Sequence, residues 1–413
     1  MQKFKLSEIV DFNPENLKNN NDLEFINYLD TANITEGKID EIKKMYLNEQ
    51  KIPSRAKRIV QINDIVYSSV RPNLKHYGIL KKIEKNLIVS TGFIVLRAKH
   101  LKISPDYLYN FLRLENNIEF VSGIAETSTT TYPSITSKVL EDLEINLPPL
   151  KTQEKIASIL STLDDKIEIN NEMNKTLEEM AQTLFKRWFI DFDFPNESGE
   201  PYKSSGGKMV DSELGEIPKG WEVNSLIDVC LTISSGGTPN TKTREYYGDE
   251  INWYSTKELQ DKFLLESEKK ITQLGLNKSS AKIFPKDSIL MAIYAAPTVG
   301  RLGILIEESA FNQAAVGLVT DEVKISYEYV YLYLLKERNN LNNLSNGAAQ
   351  QNLNVSIVKN YKIIVPSKEL NQLFKNIISS KFLKIKKNQQ EIQSLTEIRD
   401  ILLPKLMSGE VEI

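Results

Sequence analysis

The sequence predicts an α+β protein: two mixed α/β domains separated by an antiparallel coiled coil of two long helices, with pseudo-two-fold symmetry. Three observations predict it. Apolar heptad rows occupy one central and one C-terminal stretch. The pattern of the first third of the chain returns within residues 223–365. A Pro-, Gly- and Ser-rich stretch separates the copies. The expected division is a first domain at 1–147, a central helix at 148–194, a linker at 195–222, a second domain at 223–365 and a C-terminal helix at 366–413.

Residues 1–147 read as mixed α and β. The runs Ile65 to Ser68, Gly78 to Leu80 and Leu87 to Leu96 are β-rich and bounded by turn residues such as Asp64, Pro72, Asn73 and Asn86. Ser104-Pro105-Asp106 starts a helix through Leu114, with proline at its first position. Leu140, Leu143, Ile145 and Leu147 precede Pro148-Pro149, a pair that can open a helix but not sit inside one.

Beyond that pair, Ile156, Leu160, Leu163, Ile167, Asn170, Asn174, Leu177, Ala181, Leu184 and Trp188 recur at steps of four and three. Charged residues fall off this seam. Asn170 and Asn174 interrupt it, either as a solvated patch or as a polar pair that fixes register against a partner helix. The C-terminal stretch supplies the partner: Leu370, Phe374, Ile377, Lys381, Ile385, Asn388, Ile392, Leu395, Arg399 and Leu402. Trp188, Phe189, Phe192 and Phe194 end the central helix as an aromatic cluster, suited to packing on Leu402, Leu403 or a domain, or to docking a partner.

The second domain repeats the first. Ser54-Arg55-Ala56-Lys57 returns as Ser279-Ser280-Ala281-Lys282, Gly78-Ile79-Leu80 as Gly303-Ile304-Leu305, and Leu147-Pro148 as Val365-Pro366. The spacing narrows from 225 residues (Ser54 to Ser279) to 218 (Leu147 to Val365). A repeat this long is a duplicated domain plus helix, not a solenoid array.

A chain of 413 residues is too long for one core. One cysteine, Cys230, excludes an intramolecular disulfide and fits a cytoplasmic protein. The N-terminus lacks a signal peptide's apolar core, and no run suggests a membrane span. Net charge is −3, yet basic residues cluster at Lys51 to Arg58, at Arg71 to Lys75 and at Lys381 to Lys387. No phosphate-binding glycine loop or nucleophile elbow is present, and two histidines with one cysteine cannot form a Cys/His zinc cluster. No metal or cofactor is expected on this chain. Two similar but non-identical domains at a fixed separation suit a protein that reads two different short sites on one duplex.

These residues resemble the specificity subunit of a type I restriction–modification system. The resemblance rests on Leu147-Pro148-Pro149-Leu150 with Gln153, Ile156-Ala157, Leu163-Asp164, Lys166-Ile167, Thr176-Leu177-Glu178 and Leu184-Phe185-Lys186. Leu402-Leu403-Pro404-Lys405-Leu406 with Ser408-Gly409-Glu410 is similar to the family's C-terminal signature, and Gly236-Gly237-Thr238-Pro239 with Ile251-Asn252-Trp253 to the opening of a target-recognition domain. The first domain has Asp11-Phe12-Asn13-Pro14 where the second has Gly-Gly-Thr-Pro. The resemblance implies a non-catalytic subunit whose two target-recognition domains each read half of a bipartite, asymmetric site in double-stranded DNA. It implies helices that set the spacer and dock two methyltransferase subunits, which methylate adenine N6 with S-adenosylmethionine, and restriction subunits that use ATP and magnesium.

Candidate DNA contacts are polar loop residues suited to phosphates or base edges. In the first domain these are Arg55, Lys57, Arg58, Arg71, Asn73 and Lys75, with Thr129, Thr130, Thr131 and Tyr132 in one loop. In the second they are Thr256, Lys257, Lys282 and Arg301, with Asn346, Gln350, Gln351 and Asn352 in the corresponding loop. Each is equally compatible with an ordinary solvated loop. Two other readings remain: a coiled-coil scaffold that binds no DNA, and the recognition module of a single-chain restriction–methylation enzyme.

Overall fold

The computed structural model describes residues 2–18, 23–99, 102–127, 132–294, 298–344 and 352–413. It divides into two compact units, Met1–Ile167 with Ser394–Ile413, and Glu168–Gln393.

In the first unit an antiparallel sheet runs in the order Val10–Phe12, Phe93–Ala98, Ile65–Ser68, Tyr77–Ile79. A second sheet runs Lys43–Tyr46, Phe25–Leu29, Leu87–Ser90, Ala56–Ile59. The strand Ile65–Ser68 is buried throughout because both its faces are covered. Successive side chains point to opposite faces, so Ile65 and Tyr67 join the core shared with the helices, while Val66 joins the core shared with Val89, Phe93 and Val95. The run Leu87 to Leu96 is two strands in two sheets, broken at Thr91-Gly92.

The second unit repeats this plan. Its five-stranded sheet runs Cys230–Ser235, Ala315–Thr320, Ile289–Ala292, Leu302–Leu305, Lys262–Leu264. The first four strands follow the order of the first unit's antiparallel sheet. The same alternation sends Ile289 and Met291 to one core and Leu290 and Ala292 to another. A parallel pair recurs in the other sheet, Leu87–Ser90 beside Phe25–Leu29 and Ala310–Phe311 beside Ile251–Tyr254. In each unit the strand before the long helix pairs with the strand that opens the domain: Glu144–Leu147 with Gln2–Lys5, and Lys362–Val365 with Glu222–Ser225. That pairing anchors both helix starts.

The two long helices are Leu150–Phe189 and Lys368–Ser408. In the first unit Ile156 and Leu160 share a core with Leu403, Leu406 and Met407. In the second, Ala181, Phe185, Trp188 and Phe189 share one with Phe374, Ile378, Phe382 and Ile385. Polar contacts occupy the central turns. Asn388 Nδ2 donates to Asn174 Oδ1 at 2.9 Å and Asn170 Nδ2 to Glu391 Oε2 at 2.9 Å, which makes the helices antiparallel within the second unit. In the first unit Arg399 Nη1 donates to Asp164 Oδ1 at 3.1 Å. Asn170 and Asn174 are therefore an interhelical polar layer, not a solvated patch.

The strict heptad rows need correction. Phe185, Ile378, Phe382 and Leu403 are buried where the rows place Leu184, Ile377, Lys381 and Leu402. Leu163, Ile167, Leu177, Ile392 and Leu395 are only half-buried. Where the C-terminal helix packs on its domain, the buried row steps by four, from Leu370 through Phe374 and Ile378 to Phe382. The 3.6-residue turn of a straight helix, and not a supercoiled 3.5, sets which side chain faces in there.

The stretch 195–222 is not an open linker. It holds an antiparallel hairpin, Met209–Ser212 with Gly215–Pro218, turning at Gly215 with φ +95°. Phe194 stacks between Tyr202, at 4.6 Å, and Trp221, at 5.1 Å. Turn-forming composition marks compact turns here because aromatic residues pin them down. Trp188 and Phe189 pack on Phe374, and Phe189 also on Tyr329. The aromatic cluster is thus buried packing inside the second unit.

Candidate nucleic-acid interface

In the first unit the hairpin between Ile65–Ser68 and Tyr77–Ile79 carries Arg71, Asn73 and Lys75 at its tip. Pro72–Leu74 forms one 3₁₀ turn, flanked by left-handed Arg71 (φ +48°) and Lys75 (φ +56°). The chain at residues 132–135 comes back to this hairpin. Arg71 N donates to Pro133 O and Ile135 N to Ser69 O, each at 2.8 Å. The exposed Arg71 guanidinium lies 5.0 Å from the Tyr132 ring centre. Hairpin and returning loop therefore form one surface from residues some sixty apart in sequence.

The second unit builds the same arrangement. Its hairpin joins Ile289–Ala292 to Leu302–Leu305, and Leu353 N donates to Ile293 O at 2.9 Å, the counterpart of Ile135 N to Ser69 O. Arg301, half-buried, ends the hairpin loop. Arg338 fixes the loop's base: its Nε donates to Gly300 O at 2.8 Å and its Nη1 to Asp261 Oδ2 at 3.0 Å. Sequence reasoning missed Arg338 and the exposed Tyr294 beside the loop. The spacing of Arg338 within its own helix carries no sign of the hairpin it clamps.

The structure sorts the remaining candidates. Arg55 and Lys57 are exposed at the edge strand Ala56–Ile59, with no ion pair to a described residue. Arg58 is half-buried and its Nη1 donates to Asn16 Oδ1 at 2.8 Å. Lys75 is held by Glu115 at 2.9 Å and Glu36 at 3.6 Å, pairs that fasten the turn. Lys257 is exposed, and its hydrogen bond to Glu268 raises its pKa. Thr256 starts a 3₁₀ turn capped by Ser255 and Glu258. Lys282 is exposed, and Asn352 is half-buried just before Leu353. Thr129, Thr130, Thr131, Asn346, Gln350 and Gln351 lie outside the described residues.

Gly236 and Gly237 are explained by packing. A side chain on Gly236 would collide with the Phe311 carbonyl, and one on Gly237 with the Ser280 backbone. The Gly237 carbonyl accepts from Trp253 Nε1 at 2.9 Å. The motif thus holds the end of the strand Cys230–Ser235 against its neighbours. Among the described residues no cluster of His, Cys, Asp or Glu could hold a metal ion. No described helix is long and apolar enough to cross a membrane.

The type I restriction modification DNA specificity domain matches this chain twice, over residues 1–179 and 218–397. The chain belongs to the type I restriction–modification specificity family. It is 31% identical over 417 residues to the type I restriction enzyme HindI specificity subunit of Haemophilus influenzae, covering 88% of this chain and 90% of that protein. It is 32% identical to the MjaIX specificity subunit of Methanocaldococcus jannaschii, covering 80% of this chain and 74% of that one. The crystal structure of the type I restriction–modification S subunit from M. genitalium has the same fold, with a TM-score of 0.61 at 15% identity over 98% of this chain and 95% of that one. The two family matches fall one on each copy of the internal repeat. Membership in a specificity family decides against the coiled-coil scaffold that binds no DNA.

Proposed function

We propose that this specificity protein is the non-catalytic DNA-reading subunit of a type I system, with each domain reading one half of a bipartite, asymmetric site. One observation carries the reading. Both units place a hairpin tip against a returning loop through equivalent backbone hydrogen bonds, Ile135 to Ser69 and Leu353 to Ile293, while the side chains they present differ. A shared scaffold with different exposed groups is what two unlike half-sites require. Arg55, Lys57, Arg71 and Asn73 are the leading contacts of the first domain, and Lys282, Arg301 and Asn352 of the second. Arg is suited to guanine edges or phosphates and Asn to adenine.

The long helices set the spacer and dock the catalytic chains. Two methyltransferase subunits act on adenine N6 with S-adenosylmethionine, and restriction subunits add ATP- and magnesium-dependent action on the DNA. This chain's own residues supply recognition and spacing only. The test replaces residues 224–364 with the same region of a relative and maps methylated adenines made by the assembled complex. One half-site should change while the other half-site and the spacer persist. A change in both half-sites would overturn the two-reader scheme.

A further inference from the structure

Each unit ties its hairpin to the helical segment that follows, by different chemistry. In the second unit the tie is Arg338, on the helix Tyr327–Asn343. Its Nε donates to Gly300 O at 2.8 Å, and its two Nη groups grip both carboxylate oxygens of Asp261. Asp261 is fastened in turn to the hairpin's return strand. Its N donates to Leu302 O at 2.8 Å, and its Oδ1 accepts from Leu302 N at 2.9 Å. Gly300 and Leu302 flank Arg301 in the chain. The Arg338 guanidinium therefore holds the backbone on both sides of Arg301. Gly300 has φ +80°, and a side chain there would meet the Arg338 side chain at 2.9 Å.

The first unit ties the same place with the charges exchanged. Gly78 corresponds to Gly303, so Lys75 stands where the second unit has Gly300, and it too is left-handed at φ +56°. Here the hairpin supplies the cation, and Glu115 and Glu36 supply the carboxylates. Gly37 N donates to Tyr77 O at 2.8 Å as Asp261 N does to Leu302 O, so Glu36 lies one residue from the place of Asp261. Arg338 is 25% exposed and Asp261 32%, so their pair is open to solvent and adds modestly to stability. Its two-pronged geometry fixes direction. We propose that Arg338 is a positioning residue for the second half-site: through Gly300 and Leu302 it fixes the backbone of Arg301, so that the Arg301 guanidinium meets one base edge in a single orientation. Two-pronged base recognition depends on such support. The inference rests on the two-reader function proposed above.

The test measures kcat/KM for methylation by the assembled complex, on the mapped site and on duplexes with single base-pair changes in each half. Arg338→Ala should lower discrimination at one base pair of the second half-site about fivefold or more, the low end of what a two-pronged contact contributes. Discrimination across the first half-site should be unchanged. Arg338→Lys, which keeps the charge and loses the fork, should recover only part of the loss. In an Arg301→Ala background Arg338→Ala should change discrimination no further, whereas its effect should multiply with that of Arg71→Ala in the other unit. If Arg338→Ala does not fold, Asp261→Asn, which keeps an oxygen for Leu302 N, carries the same expectation. A uniform fall in kcat/KM on all duplexes, or an undiminished effect of Arg338→Ala in the absence of Arg301, would assign Arg338 to folding alone and overturn the proposal. Discrimination unaltered by these variants would also overturn it, while the two-reader scheme stands if exchanging residues 224–364 still switches one half-site. A wild-type complex indifferent to every change in the second half-site would overturn both.

Discussion

The Asn174–Asn388 pair makes a quantitative prediction about the helix core. Asn388 is fully buried and Asn174 is 7% exposed, and the bond between them is 2.9 Å. Asn388→Ala leaves the Asn174 carbonyl oxygen buried without its donor, which costs about 1–3 kcal/mol. Asn174→Ala orphans the Asn388 amide and costs a similar amount. Both changes break the same bond, so the double alanine variant should cost less than the sum by about 0.5–3 kcal/mol. Leucine at both positions removes both polar groups and should be close to neutral or stabilising. The chain's three tryptophans, Trp188, Trp221 and Trp253, all lie in the unit Glu168–Gln393, so tryptophan fluorescence during urea unfolding reports on that unit. The leucine pair should also lose the polar contact that fixes register. Methylation mapping of the assembled complex should then show relaxed spacer length despite undiminished stability. Single-variant costs that add within about 0.3–0.5 kcal/mol would refute the coupling. An unchanged spacer in the leucine pair would refute the registry role.

The remaining predictions concern the spacer, pH and DNA contacts. One heptad inserted near Asn171, with a matching heptad near Asn388, lengthens each helix by about 10 Å at 1.5 Å per residue. That length corresponds to about three base pairs, and the preferred spacer should grow by about one to three, as read from methylated adenines; an unchanged spacer at full methylation would show that the helices are not the ruler. Glu328 is 1% exposed, and burial holds its carboxyl above the usual range. Its contribution is therefore full below the unfolded pKa and lost as pH rises through the folded one. Glu328→Gln should match wild type below the ordinary carboxylate range and exceed it by a widening margin as pH rises above that range, in urea midpoints; a constant gap contradicts this. Arg71→Ala should weaken DNA binding by the assembled complex and lower the slope of log affinity on log salt by about one. An unchanged slope and affinity would remove Arg71 from the interface.

The sequence by itself determined the long helices, the duplicated domain and the absence of catalytic motifs. Heptad rows and repeated strand signatures are local or periodic, so they survive in one dimension. It also placed Arg71 and Tyr132 in candidate loops, although nothing in the sequence joins them. Tertiary structure decided what long-range contacts decide. It paired Lys75 with Glu115 and Glu36, turned Arg338 onto the second hairpin, and folded 195–222 onto Trp221. It chose Ile378 over Ile377, because which of two adjacent apolar residues faces inward depends on the surface the helix meets. It left two donors of Arg113 buried without partners, a state no spacing can reveal, since a donor is orphaned only once the fold has fixed every group around it.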